Sequence, residues 1–134
     1  MPFYVERGKY GGTTQFLDNS RHYTVDSALM NPNGVAADTY GNKVVYPGTI
    51  LSKVLGSVLP TYQEVMVRVS TPTYGPGSDV AIGVLREIVD LTRGEKIVSY
   101  VTHGFCREAV CKDVGTVGTV AAATKTALSL IQWV

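Results

Sequence analysis

No run of apolar residues in this chain approaches the ~18 that a membrane-crossing helix needs, so the sequence predicts no membrane partner. The first residues, MPFYVERGKYGG, contain no apolar stretch long enough for a secretory leader. A surplus of one charge is also missing. Twelve basic residues face 11 acidic ones, for a net charge of +1, and no basic run occurs. That balance lacks the electrostatic footprint of a nucleic-acid binder. The 2 cysteines are too few for a disulfide framework. Together these absences predict a soluble protein made in the cytosol with no nucleic-acid partner.

What is present is enough for a packed core. Hydrophobic residues make up 45% of the 134 positions, which argues against wholesale disorder and for one domain. Fourteen glycines and six prolines predict many turns. The most telling block is Asp79 to Lys112. Val80, Ile82 and Val84 alternate with small residues, Val89 and Leu91 alternate again, and Thr92-Arg93-Gly94-Glu95 forms a turn. Lys96 to Val101 then returns as a β-branched and aromatic run, with a further short run through Phe105, Ala109 and Val110.

Elsewhere the chain reads as short strands between turn signals. Asn31-Pro32-Asn33-Gly34 is a turn, Val35 to Asp38 a short strand, and Tyr40-Gly41-Asn42 its end. Lys43 to Tyr46 leads into the Pro47-Gly48 turn, and Thr49 to Gly56 is the next strand. Val65, Val67 and Val69 have the period of a half-buried strand. Thr71 to Asp79, with two prolines and two glycines, is a loop. The only helical texture lies over Val117–Ala127, and Leu128 to Val134 reads as a closing strand tied into the fold. Residues 1–27 are polar with spaced aromatics. Two readings fit them: an extended arm that orders against another molecule, or a first strand packed on its own domain.

Motifs for chemistry are thin. His103, Cys106 and Cys111, with His22 or an acid as a fourth ligand, lack the second paired half of a structural zinc site, so no metal or other cofactor is expected. Buried free thiols are the simpler reading. Cys106, His103 and Glu108 sit on one short stretch, whereas nucleophilic triads converge from separate elements. Tyr74 to Ser78 lacks the lysine of a phosphate loop, and Gly115 to Thr119 reads as a loop and helix cap. Glu87 and Asp90 read as turn residues. Tyr4, Tyr10, Tyr23, Tyr40, Tyr46, Tyr62 and Tyr74 fall in arms and turns, a placement that suits protein contact as well as ordinary surface.

The order of Pro47-Gly48-Thr49-Ile50-Leu51, Ala81-Ile82-Gly83-Val84-Leu85, the turn Glu87 to Asp90, and Tyr100 to Phe105 resembles the lambda-type head decoration proteins of tailed bacteriophages. The likeness runs from about Gly34 to Val134 and is one of pattern and order. It implies a mainly β (α+β) fold with one short helix, a small β-barrel or β-tulip-like decoration domain over residues 28–134. It also implies an N-terminal capsid-binding arm over residues 1–27, with Phe3, Tyr4, Val5 and Arg7 as contacts. The implied role is non-enzymatic: a homotrimer on the outer virion surface, bound to the major capsid protein and stabilising the expanded head against internal DNA pressure. No small-molecule substrate is implied. The Pro/Gly-rich excursion at Thr71–Ser78 and the longer aromatic arm depart from the shorter members. Two other readings compete: another virion β module of a tail or spike, or a small ligand-binding or enzymatic β-barrel with a pocket near His103.

Overall fold

The computed structural model describes residues 23–58, 65–71 and 80–134. Phe3, Tyr4, Val5 and Arg7 lie outside the described residues, as does most of the 71–78 excursion. Among the described residues strands dominate and α1 is the only α-helix, so the mainly β class holds. In chain order the strands are β1 (Thr24–Met30), β2 (Val44–Val45), β3 (Ile50–Val58), β4 (Val65–Val69), β5 (Val80–Leu85), β6 (Val89–Asp90) and β7 (Lys96–Cys106). Then come β8 (Lys112–Asp113), β9 (Thr116–Val117), helix α1 (Ala122–Ala127) and β10 (Ile131–Trp133).

Five of these strands close on themselves. β1 pairs in parallel with β4, β4 with β3, β3 with β5 and β5 with β7 antiparallel, and β7 returns antiparallel to β1. The ring is a closed five-stranded barrel. Closure satisfies the hydrogen-bonding edge of every ring strand with another ring strand, which removes the edges of an open sheet. β10 adds in parallel to the far end of β7, with Ile131 opposite Gly104 and Trp133 opposite Cys106.

Two apolar clusters explain the dense hydrophobic texture of the 79–112 block. The first fills the barrel and includes Ala28, Met30, Leu51, Val67, Leu85, Val98 and Tyr100. The second gathers Ile50, Ala81, Val84 and Val101 with Cys106, Cys111, Val120, Leu128 and Ile131 of the C-terminal segment. β3, β5 and β7 are thus buried on both faces, and such strands read as near-continuous hydrophobic runs. Ile50 and Leu51, adjacent and pointing opposite ways, are both fully buried. The C-terminal end is tied down as expected: Val134 N–H donates to Cys106 O at 2.9 Å, and Glu108 N–H to Val134 O at 3.0 Å.

Several sequence expectations need correction. Val35 to Asp38 forms no strand, because Asp38 Oδ1 accepts the N–H groups of Tyr40 (2.8 Å) and Asn42 (2.9 Å) and holds the chain in a turn. The run through Phe105 is not separate, since β7 continues unbroken to Cys106, while Ala109 and Val110 fall in a 3-10 turn. The helix starts at Ala122, not Val117, because Thr116 and Val117 pair with Asp113 and Lys112. The closing strand begins only at Ile131, since Leu128 N–H and Ile131 N–H are bonded back to Thr124 O and Leu128 O. The proposed boundary after residue 27 runs through the middle of β1, so Thr24–Ser27 belong to the barrel.

Candidate functional site

The groups that carry chemistry are mostly engaged in holding the fold. Cys106, at the end of β7, and Cys111, after the 3-10 turn, are free and fully buried. Burial pushes both thiols up to about 12, so neither is a thiolate at neutral pH. His103, on the same strand as Cys106, is exposed while Cys106 is buried. Glu108 is turned elsewhere: its Oε2 accepts Val120 N–H at 2.9 Å and its Oε1 accepts Lys125 Nζ at 3.0 Å. The three residues tested as a nucleophilic set do not converge. Among the described residues no group of three His, Cys, Asp or Glu is placed to hold a metal ion. His22, one suggested fourth ligand, lies outside the described residues.

Glu108 and Asp113 instead organise the entrance to α1. Ala121, at the N-cap, has no side-chain oxygen to satisfy the first helical N–H groups. Asp113 Oδ2 accepts Ala121 N–H at 2.8 Å, and Glu108 takes the preceding Val120 N–H. The Val120 hydrogen bond, then Lys125, hold the Glu108 carboxyl below its ordinary range. These acceptors lie 8 and 12 positions away and take the N–H groups at and just before the N-cap, so no local motif announced them. Asp90 likewise serves a turn. Its Oδ1 accepts both the hydroxyl and the N–H of Thr92, which lowers its carboxyl. Glu87 lies 3.6 Å from Arg86, and Arg86 also donates to Tyr23 OH at 3.2 Å. That contact ties Tyr23, just before β1, to the residue that follows β5.

The surface carries two features. An open groove of about 610 Å³ runs between Val35, Val44, Tyr46, Val69, Val110 and Val117, with Lys112 the one charged side chain among the described residues that line it. Neither His103 nor Cys106 lines it, so this groove is not the pocket that the small-barrel reading placed near His103. The second feature is an apolar band on the outer barrel wall. Register sets Leu29 opposite Met66 on one side and opposite Ile97 on the other. Directly opposed residues share a face, so the three form a row. Ile88, from the β5–β6 turn, shares a shallow cleft of about 220 Å³ with Ile97. Sequence reading missed this band, because Ile88 and Ile97 meet only through the tertiary arrangement. Of the tyrosines expected in arms and turns, Tyr40 and Tyr46 are exposed, while Tyr4, Tyr10, Tyr62 and Tyr74 lie outside the described residues.

No protein-family model matches this chain, and no curated protein matches it.

Proposed function

We propose that this chain is a non-enzymatic virion protein, a trimeric decoration protein of a tailed-phage head. It binds the outside of the expanded shell at three-fold and quasi-three-fold positions and stabilises it against internal DNA pressure. The observation that carries the reading is the order of the elements. The Tyr46-Pro47-Gly48 turn is followed by β3, then by Ala81 to Leu85 on β5, then by β7 reaching Gly104-Phe105, then by α1 and the apolar β10. That order of turn, strands, short helix and closing strand resembles the pattern of the lambda-type family. Thiols raised by burial and carboxylates engaged in holding the lead into α1 and a turn fit a protein whose task is contact, not turnover.

In this reading the N-terminal arm anchors the protein to the major capsid protein, with Phe3, Tyr4, Val5 and Arg7 making the contact. An extended segment binds through main-chain hydrogen bonds, with alternate side chains filling pockets. One arm alone binds weakly after the cost of ordering it. Three arms on one rigid trimer gain from effective concentration. The experiment is thermal disruption of expanded, undecorated heads with and without added protein. Decoration raises the disruption temperature in a saturable way, and an unchanged temperature at saturating protein would rule the role out.

A further inference from the structure

The groove of about 610 Å³ lies at the end of the barrel where β4 finishes and β3 begins, with Val69 and Thr49 in its lining. Most of the lining is apolar, and of it Tyr46 and Val117 stand 51% and 64% exposed. Lys112 is exposed on β8, and among the described residues no carboxylate is paired with it. β2 contributes Val44 and Val45 to the lining and pairs only with β6 among the described residues, so its other edge can take an extended segment. An apolar recess with a cation and an open strand edge fits an extended chain carrying large apolar residues next to an acid.

The chain itself carries such a segment, Phe16-Leu17-Asp18, seven steps before the first described residue, Tyr23. A run of hydrogen bonds leads from Tyr23 to the groove. Arg86 donates to Tyr23 OH at 3.2 Å. Leu85, the residue before Arg86, accepts Gly48 N–H at 3.0 Å and donates its own N–H to Thr49 O at 2.8 Å. Gly48 O then accepts Lys112 N–H at 2.9 Å, and Thr49 and Lys112 both line the groove. Seven extended residues reach ~24 Å, which suits that separation.

We propose that Phe16-Leu17-Asp18 seats in this groove on its own chain. The segment pairs with the open edge of β2, Phe16 and Leu17 cover the apolar lining, and Asp18 meets Lys112. An exposed ion pair contributes little affinity. The apolar side chains therefore hold the segment, and the charge fixes its register. The run Phe3 to Glu6 has a similar texture but stands at the far end of the arm. The shorter tether gives Phe16 to Asp18 the higher effective concentration at the groove. The two readings of residues 1–27 then divide along the arm: its root packs on its own domain, and its tip reaches for a partner. The seating goes beyond the decoration role and does not depend on it.

The test is amide hydrogen exchange of the full chain, read by NMR, with urea unfolding to confirm that each variant folds. Amides within Phe16 to Asp18 exchange at least tenfold more slowly than in a free peptide of residues 10–22. Leu17→Asp, a change in the arm that leaves the barrel untouched, removes the protection. Lys112→Glu weakens it, and Asp18→Lys combined with Lys112→Glu restores it. Free-peptide rates in the folded wild-type chain overturn the proposal. Protection that survives both Leu17→Asp and Lys112→Glu also overturns it, because the segment is then held elsewhere. Protection that disappears on dilution assigns the groove to the arm of a second copy and overturns the seating on the same chain. Shell binding of the same variants separates this result from the decoration role: a chain whose groove stays empty still decorates shells if that role is right.

Discussion

The ring of Tyr100 fills the space where Gly83, on the neighbouring strand, has no side chain. A Cβ built on Gly83 would collide with the Tyr100 ring and come within 2.8 Å of Val101 O. Both residues belong to the buried wall of a five-stranded barrel, whose lumen is narrow. A whole aromatic ring fits there only where a neighbour contributes no volume. Gly83→Ala is therefore expected to destabilise the fold by about 1–3 kcal/mol, as overpacking of a tight core does. Urea unfolding measures this. Tyr100→Ala in the same chain should remove part of the clash, so the two effects will not add.

Val114 occupies a backbone conformation that suits it poorly. It and Gly115 are the two loop residues between β8 and β9, with φ of +50° and +83°. Positive φ at both positions is the requirement of the tight hairpin turn that favours Asn-Gly. A β-branched residue there is strained. Val114→Asn should stabilise the protein by about 1 kcal/mol, seen as a higher unfolding midpoint with an unchanged denaturant slope.

The two thiols should be silent in the native state. With Cys106 and Cys111 buried and raised to about 12, an aromatic disulfide reagent at pH 8 is expected to modify neither until the protein unfolds. The same shift makes stability fall as pH climbs above the unfolded thiol value of roughly 8.5, since the unfolded chain releases protons that the folded one keeps. Prompt modification of either thiol in native protein would contradict the burial.

Glu108 sets an acid-side dependence. Its folded carboxyl is held low by Val120 N–H and Lys125, so its contribution is present above the ordinary glutamate range and is lost as pH falls through the folded value. Glu108→Gln should be less stable than wild type at pH 7, and the difference should shrink toward pH 3. Thermal melts across that range give the answer. A difference independent of pH would mean that the carboxylate charge contributes nothing.

The β class and the positions of β3, β4, β5 and β7 were legible because alternation and β-branched runs mark half-buried and buried strands. The final strand was legible as an apolar end that had to be tied down. The barrel was expected through the family resemblance and not from the strand pattern itself, because the parallel β1–β4 pairing that closes it joins segments far apart in sequence. The length of α1 was misread because the β8–β9 hairpin claims Thr116 and Val117, and Val114 in place of Asn hides the turn that makes it. Asp38 shows the same limit on a smaller scale, where a side-chain oxygen outcompetes the strand that Val35-Ala36-Ala37 suggested. At the surface, the apolar band escaped notice because Ile88 and Ile97 are nine positions apart and meet only across the sheet wall. The expected capsid contacts Phe3, Tyr4, Val5 and Arg7 lie outside the described residues, so the arm stands on the sequence pattern alone.

The most direct measurement is co-sedimentation of the purified chain with expanded, undecorated heads of the parent virus, beside a chain lacking residues 1–17. The account predicts saturable binding of the full chain that disappears on truncation. Absence of binding by the full chain, at concentrations where it is folded, would contradict it.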